Sequence, residues 1–312
     1  MNPRSVSVVI PTKNAGALFS EVLEGIRQQR DVDVDLVIVD SGSTDETVDL
    51  AERYGARVFR IPPESFNHGL TRDMGLREAR YDVAVLMTQD ATPGDPSLLW
   101  RLVAVLDDPA VGGAYARQVA RPEADVLTRR NLLLALTGRL TSEVRSLETV
   151  DAWSALSPFD RYKLCNFDNV CSAVRRSAWE TIPFGKIAFA EDIVWCRRAL
   201  CAGWKIAYVA ESHVIHSHER PLRYDFQRTY LTHRKLYEEY GLALVPNLAV
   251  ALAGIAASIR QDWLHVREHE RSRRRKLKLL LKIPFLSIAC VLGQYAGARD
   301  ERLGNGKDVR GI

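Results

Sequence analysis

The chain has 312 residues, of which 46% are hydrophobic and 26% are charged, and its formal net charge is +4. This length accommodates one large domain or one domain with an appendage, and the apolar content excludes an intrinsically disordered chain. The small net charge does not indicate a nucleic-acid partner. Five cysteines without a CxxC pair indicate reduced, structural thiols in a cytosolic compartment, not a disulfide framework or a zinc site.

Three apolar runs alternate with helical patterns at the start of the chain. Residues 5–10 (SVSVVI), 36–39 (LVIV) and 57–61 predict strands, and residues 17–29 and 47–54 predict the helices between them. This β-α-β-α-β order predicts a parallel sheet with right-handed crossovers. We expect Pro11 to end the first strand. The N-terminus enters that strand almost directly and shows no signal-peptide apolar region.

Polar residues follow the first two strands and meet at the carboxyl edge of the predicted sheet. A carboxylate beside a glycine turn at this edge is where α/β proteins bind nucleotides. An ordinary strand-to-helix turn, with Asp40 as a helix cap, explains the second loop equally well. The candidate nucleotide-binding residues are Pro11, Thr12, Asn14, Asp40, Gly42 and Ser43.

Residues 66–75, FNHGLTRDMG, have the features of a diphosphate site. Gly69 would let the backbone approach a ligand, and a helix over residues 71–79 would direct its N-terminus at an anion. Arg72 in the first turn opposes the helix dipole, so a negative ligand nearby would explain it. The alternatives are a surface arginine paired with an acid and, for His68, a packed loop histidine.

The second half of the predicted sheet carries further polar residues. A strand over residues 82–87 runs into Thr88, Gln89 and Asp90, and on its own Asp90 is a strand-end turn residue. A helix follows over residues 95–106 and a strand over 112–118. Residues 121–164 are expected to be largely helical, and residues 166–174 form a loop that enters a strand.

A helix that begins near residue 189 opens with Glu191 and Asp192. Two acids at a helix start can be dipole partners and nothing more. After a strand over residues 203–209 come His213, His216 and His218, which lack the further ligands of a tetrahedral zinc site. A polar turn after an edge strand is the alternative for these histidines.

The motifs VVIPTKN, VIVDSGSTDET and FNHGLTRDMG, in this order, resemble family 2 glycosyltransferases of the GT-A fold. The third motif is similar to the rhamnosyltransferase branch, and the resemblance covers residues 5–218. It implies an α/β fold with a mostly parallel central sheet flanked by helices. The implied catalytic domain is 1–220, with a nucleotide-sugar half at about 1–118 and an acceptor half at about 119–220. No GxGxxG follows the first strand, which argues against a dinucleotide oxidoreductase.

The resemblance also implies roles for individual residues. Asp192 matches the catalytic base, and Glu191 is the neighbour that could exchange roles with it. Asp90 matches the final aspartate of the metal motif, although Thr88 and Gln89 stand where many members have an earlier acid. His216 is the implied further contact to a divalent metal, Mg²⁺ or Mn²⁺, with His218 behind it. The donor-binding set becomes Pro11, Thr12, Asn14, Asp40, Gly42, Ser43, Asn67, His68, Gly69, Arg72 and Gln89.

The activity that the resemblance implies is inverting sugar transfer from a nucleotide diphosphate. The implied donor is dTDP-β-L-rhamnose, with a UDP- or GDP-hexose as the alternative. The acceptor would be a glycan or lipid-linked saccharide of cell-surface polysaccharide or O-antigen synthesis. A catalytically silent nucleotide-sugar-binding scaffold subunit is the competing class.

The C-terminal region, 221–312, is expected to be helical. It carries a basic run at 271–282 between apolar stretches at 242–259 and 283–295, the second of them interrupted by Pro284. Basic clusters beside apolar helical faces are typical of segments that lie on an anionic membrane surface. A homodimer interface and a membrane-spanning helix are the alternatives. We therefore expect a cytoplasmic protein, peripheral on the inner face of the cell membrane.

Overall fold

The computed structural model describes residues 3–218 and 220–305, which group into two compact units. The sheet unit contains the residues up to Arg121 together with 132–155 and 164–216. The helical unit contains 122–131, 156–163 and the residues from Ser217 onward. The predicted domain boundary at residue 220 stays a prediction, and its C-terminal region includes residues 306–312, which lie outside the described residues.

The sheet unit is built on one nine-stranded sheet with the order β3-β2-β1-β4-β8-β6-β9-β5, and β7 pairs with β9. Strands β1 to β4 are parallel to one another, and β6 is parallel to β9. The antiparallel β8 lies between β4 and β6. The strands are β1 (Arg4–Thr12), β2 (Val32–Asp40), β3 (Arg57–Arg60), β4 (Val83–Met87), β5 (Thr92–Pro93), β6 (Val111–Val119), β7 (Glu143–Arg145), β8 (Cys171–Arg175) and β9 (Lys205–Ile215).

Helices flank this sheet and make up most of the helical unit. The expected GT-A architecture, a mostly parallel central sheet with flanking helices and C-terminal helices, is confirmed. The helices are α1 (Leu18–Arg27), α2 (Thr47–Arg53), α3 (His68–Glu78), α4 (Leu98–Ala104), α5 (Val126–Leu134), α6 (Val150–Ala155), α7 (Pro158–Leu164), α8 (Arg176–Thr181), α9 (Glu191–Cys201), α10 (Leu222–Tyr240), α11 (Leu248–His269) and α12 (Arg273–Arg302).

The first two strands are buried on both faces, as their continuous β-branched runs predict. The expectation that Pro11 ends β1 is wrong, because β1 continues to Thr12, which pairs with Asp40. The neighbour on the other side, β4, pairs only with residues 7–9 of β1. The missing N–H of Pro11 therefore costs no ladder hydrogen bond on that side.

Two sequence expectations for helices are corrected. Helix α3 begins at His68, not at residue 71, because the side chain of Asn67 caps it by accepting a hydrogen bond from Leu70 N at 3.1 Å. The largely helical segment 121–164 includes the short strand β7, which pairs with β9. Strand β9 also runs to Ile215, so His213 lies in the strand and not in a turn after it.

In the helical unit, Pro284 lies inside α12, so the expectation that it interrupts the apolar stretch is wrong. Proline removes the N–H that would bond the carbonyl of Leu280. The indole Nε1 of Trp263 on α11 donates to that carbonyl at 3.1 Å instead. Helix α12 thus remains continuous over 30 residues and is long and apolar enough, by length and composition alone, to span a membrane.

Candidate active site

Three loops meet at the carboxyl ends of β1, β2 and β4 and are tied to one another by hydrogen bonds. Asn14, whose φ is +45°, donates its N–H to Ser43 Oγ at 2.8 Å and accepts from Thr44 N at 2.8 Å. Lys13 N donates to Gln89 Oε1 at 2.9 Å. The structure therefore brings the predicted nucleotide-binding residues of three separate strands together at one edge of the sheet.

Asp40 is 2% exposed and holds the second loop in shape. Its Oδ2 accepts hydrogen bonds from Gly42 N at 3.0 Å and Ser43 N at 2.9 Å. Its Oδ1 accepts from Thr12 Oγ1 at 3.0 Å and from the Ser43 hydroxyl. Both carboxylate oxygens are thus used to fix the turn, where Gly42 has a φ of +84°.

The N-terminus of α3 packs against the loop that precedes α9. Gly69 N donates to Ile187 O at 3.0 Å, and a Cβ on Gly69 would lie 2.1 Å from Gly185 O. The close approach that Gly69 permits is therefore to protein backbone, which corrects the expectation that it serves a ligand's approach. Asn67 caps this helix and His68 is its first residue, with the ring 4.9 Å from that of Phe66.

Asp73, which the sequence analysis did not single out, anchors the same loop. Its buried carboxylate accepts hydrogen bonds from Trp179 Nε1 at 2.7 Å, Phe184 N at 2.9 Å and Gly185 N at 2.8 Å. The loop then reaches Ala190, which has a φ of +56° immediately before Glu191. Asp73 therefore fixes the segment that delivers the two candidate catalytic acids.

Arg72 and Glu191 form a buried ion pair. Arg72 Nη1 lies 2.8 Å from Glu191 Oε1, and Asn169 Nδ2 donates to the same oxygen at 3.0 Å. Burial alone would raise the pKa of Glu191, but the positive charges of Arg72 and His68 and the Asn169 hydrogen bond hold this pKa below its usual value. Arg72 lies beyond the first turn of α3, and its negative partner is Glu191. This corrects the argument that a ligand charge was needed to explain the arginine.

Asp192 is the more exposed of the two acids and has the opposite electrostatics. Desolvation, and then the negative charges of Glu191 and Asp168, raise the pKa of Asp192 to about 8. Its Oδ1 accepts from Ile193 N at 2.8 Å. Two adjacent residues thus differ in character, because Glu191 is held as a carboxylate by Arg72 while Asp192 readily holds a proton.

A chain of polar side chains connects Asp168 to Asp90. Gln118 Nε2 donates to Asp168 Oδ2, and Gln118 Oε1 lies 2.9 Å from His216 Nδ1. Because Gln118 Oε1 only accepts, Nδ1 of His216 is the donor in this contact, and Nε2 is the ring nitrogen that faces a different partner. That Nε2 lies 3.5 Å from Asp90 Oδ1.

An imidazole nitrogen and a carboxylate oxygen thus face each other across a gap that a divalent cation can bridge. Asp90 and His216 both belong to a group of side chains with the geometry to hold a metal ion. The Gln118 hydrogen bond orients the ring in the manner of an outer partner of a metal ligand. Mixed oxygen and nitrogen ligands suit Mn²⁺ better than Mg²⁺, which prefers oxygen. The residues present therefore fit the expected divalent metal.

Other site residues were missed because their sequence signal is weak. Gln118 ends a strand, and Asp168 and Asn169 were assigned only to a loop before one. His213 lies apart from this arrangement, 3.7 Å from Asp95. The one available signal was position, since Gln118, Asp168 and Asn169 all lie at ends of strands.

Comparison with known proteins bears on this arrangement. The family model described as glycosyl transferase family 2 matches residues 7–182. The O-antigen chain rhamnosyltransferase RfbN of Salmonella typhimurium is 33% identical over 232 residues, which cover 73% of this chain and 71% of the relative. WbaN of Salmonella anatum, with the same description, is 32% identical over 235 residues, again 73% and 71%.

Among solved structures, a mannosyltransferase of Pyrobaculum calidifontis, PcManGT, in complex with GDP-Man and Mn²⁺ has a TM-score of 0.62 at 20% identity. The match covers 98% of this chain and 89% of that one, and it supports the GT-A fold. The family model and the two relatives identify the activity class. The chain belongs to glycosyltransferase family 2 and is a glycosyltransferase.

Proposed function

We propose that this glycosyltransferase uses Asp192 as the general base of an inverting transfer from a nucleotide diphosphate. The observation that carries the proposal is that two neighbouring acids differ in their partners and in their pKa values. Glu191 is committed to Arg72 and Asn169, whereas Asp192 is partly exposed and has a raised pKa. A base whose pKa lies near the working pH both accepts and releases protons readily.

The reaction is a single displacement. The acceptor hydroxyl oxygen forms a bond to the anomeric carbon as the bond from that carbon to the diphosphate oxygen breaks. The hydroxyl proton passes to the carboxylate of Asp192, and the nucleoside diphosphate leaves with the electron pair of the broken bond. One base without a nucleophile gives inversion at the anomeric carbon.

The donor would lie along the carboxyl edge of β1, β2 and β4. The loops that carry Pro11, Thr12, Asn14, Asp40, Gly42 and Ser43 would bind the nucleoside, with Asp40 shaping the turn. The diphosphate would lie near the start of α3 (Asn67, His68 and Arg72) and near Gln89. Asp90 and His216 would hold the divalent metal, which supplies positive charge to the leaving diphosphate.

We propose L-rhamnose as the transferred sugar, from dTDP-β-L-rhamnose. The support is the description of two relatives, each about one-third identical, as O-antigen chain rhamnosyltransferases. The acceptor would be a glycan or lipid-linked saccharide of cell-surface polysaccharide synthesis. A UDP- or GDP-hexose is the alternative donor, and a structural neighbour is described in complex with GDP-Man.

We further propose that the helical unit attaches the enzyme to the cytoplasmic face of the membrane. On α12, Leu277, Leu281 and Phe285 are spaced by four residues and are 62%, 65% and 62% exposed. Trp263 of α11 is exposed and bonded to the same stretch of α12. Arginines at 273–275 lie one turn away, as in segments that bind anionic lipid surfaces. A homodimer through this apolar surface is the alternative.

The test is transfer and donor binding by Asp192→Asn. With dTDP-rhamnose and Mn²⁺, we expect the rate of transfer to fall about a hundred- to ten-thousand-fold, the usual contribution of a general base. Donor affinity measured by calorimetry should stay within about twofold, because Asp192 is assigned to the acceptor. UDP-glucose and GDP-mannose, run in parallel, test the choice of donor.

Asp49→Asn, an exposed substitution on α2, is the matched control and should leave the rate unchanged. Full transfer by Asp192→Asn would overturn the assignment of the base. Donor binding without transfer by the wild-type protein, across a panel of acceptors, would instead favour a scaffold subunit.

A further inference from the structure

The helical unit contains a cavity of about 490 Å³. Its walls come from the first half of α5 and from α10, α11 and α12. A volume of this order is within the range of small-molecule sites in proteins. All of its lining residues belong to the helical unit.

One wall of the cavity is polar, and a second wall combines apolar and polar side chains. On α10, one helical face presents charged and hydroxyl-bearing side chains at spacings of three and four residues, namely Asp225, Arg228, Thr229, Thr232 and His233. On α12, the lining consists of the apolar Leu279, Ile283 and Leu286 together with Lys282, Ser287, Cys290 and Gln294. A ligand that fills this space needs both a polar and an apolar part.

Positive charge predominates in the polar part. Burial raises the pKa of Asp225, while Lys282, Arg220 and Arg228 act electrostatically in the opposite direction, which places three cations around one carboxylate. The other lining arginine, Arg130, is already paired with Asp262. Asp125 also lines the cavity, so the three remaining cations exceed the charges of Asp125 and Asp225 by one, and this part of the cavity favours an anion.

Several polar atoms of the lining are buried without a protein partner. His233 is 6% exposed, and its Nδ1 makes no hydrogen bond within the described chain. The Nε atoms of Arg130 and Arg220 are also buried and make no hydrogen bond within the described chain. Burial lowers the pKa of His233 to about 4, so its ring is neutral near pH 7 and offers one N–H donor. Leaving buried polar atoms without partners is costly, and a bound ligand would satisfy them.

We propose that this cavity binds the phosphate end of a phosphate-bearing lipid. Arg228, Lys282 and the N–H groups of Arg220 and His233 would contact the phosphate oxygens. Leu279, Ile283 and Leu286 would cover the first carbons of the chain. This proposal rests on the proposed function for its purpose, since a phosphate-bearing lipid is the class of molecule that would carry a lipid-linked acceptor.

The test is calorimetric titration of the full chain with dodecyl phosphate below its micelle concentration. Inorganic phosphate and dodecyl maltoside separate the contributions of the anion and of the chain. We expect dodecyl phosphate to bind at least tenfold more tightly than either. Equal binding of inorganic phosphate would overturn the assignment to a lipid, and equal binding of dodecyl maltoside would overturn the anion site.

Variants localise the binding to the cavity. Arg228→Ala/Lys282→Ala should weaken dodecyl phosphate binding at least tenfold, and Asp225→Asn should strengthen it because a negative charge is removed. Arg260→Ala/Arg267→Ala, which removes two exposed cations of α11 outside the cavity and outside the basic run of α12, is the matched control. Equal weakening by both double variants would overturn the cavity as the site.

Binding of dTDP-rhamnose distinguishes a failure of this inference from a failure of the proposed function. An intact donor isotherm together with no dodecyl phosphate binding overturns only the lipid site. Absence of dTDP-rhamnose binding with retained lipid binding overturns only the choice of donor.

Discussion

The two units differ in the surroundings of their charged and polar side chains. In the sheet unit, the buried carboxylates of Asp40, Asp73 and Glu191 each accept hydrogen bonds or an ion pair from named protein groups. In the helical unit, charged side chains line an open cavity, and α12 exposes Leu277, Leu281 and Phe285 at four-residue spacing. The buried acids of the sheet unit therefore fix geometry, whereas the cavity and α12 are the surfaces that we propose to bind lipid.

Asp192 differs from these buried carboxylates of the sheet unit, and the difference follows from the fixed positions of its neighbours. Its neighbours, Glu191 and Asp168, have protein partners that hold them in place. Their charges act on Asp192, which is left with a raised pKa at the partly exposed end of α9. The rigid partners thus set the proton affinity of the one acid that is proposed to react.

The largest effect that this comparison predicts is on stability, from Glu191→Gln. The change leaves the buried guanidinium of Arg72 without a counter-charge, which costs about 3 kcal/mol of unfolding free energy. Urea denaturation measures this loss, and Glu180→Gln, an exposed substitution on α8, should cost almost nothing. Arg72→Met/Glu191→Met should recover most of the loss, and a double variant as unstable as Glu191→Gln would contradict the unpaired charge as the cause.

Asp73→Asn tests the anchor of the loop before α9. Asparagine offers one acceptor oxygen in place of two, so at least one of the three donors from Trp179, Phe184 and Gly185 is left without a partner. We expect a loss of about 2 kcal/mol in unfolding free energy, together with faster amide exchange over residues 183–190. The control is Asp82→Asn, which is exposed. Unchanged exchange in this segment would mean that the loop is held by other contacts.

The sequence alone predicts much of the fold and of the candidate site, and the contacts that it misses are missed for physical reasons. The positions of Asp40 and Asp90 at strand ends, and of Asp192 at a helix start, follow from local apolar runs and turn residues. The partnership of Arg72 with Glu191 joins residues far apart in the chain, which no local pattern reports. No local pattern reports that α12 continues through Pro284 either. Proline normally breaks a helix, but here Trp263 on another helix supplies the missing hydrogen-bond donor.

The next largest expected effect is on the pH dependence of sugar transfer. Asp192 acts as a base only when it is deprotonated, so kcat/KM should rise with pH, with a midpoint far above the pKa of about 4 of an ordinary aspartate. Asp168→Asn removes a negative charge that raises this pKa, so the midpoint should move to lower pH by about one unit or less. A midpoint that does not move in Asp168→Asn would contradict this electrostatic coupling.

The raised pKa of Asp192 also predicts how the stability of the folded protein changes with pH. Because its native pKa is raised above the unfolded value, the folded protein binds the proton more tightly. Stability should therefore fall as pH rises from about 4 to about 8, by an amount that Asp192→Asn removes. Thermal unfolding of both proteins across this range measures the difference, and identical slopes would contradict the raised pKa.

The smallest expected effect lies in the helical unit and has its own internal control. Trp263→Phe leaves the Leu280 carbonyl without its donor, because Pro284 cannot supply one, and should cost about 1 kcal/mol of unfolding free energy. In a Pro284→Ala background, the restored N–H of residue 284 bonds that carbonyl. The same tryptophan substitution should then cost less, so the double-mutant cycle should give a coupling of about 0.5 to 1 kcal/mol. Additive effects would show that Trp263 stabilises α12 by packing alone, and that the proline within this helix is tolerated for another reason.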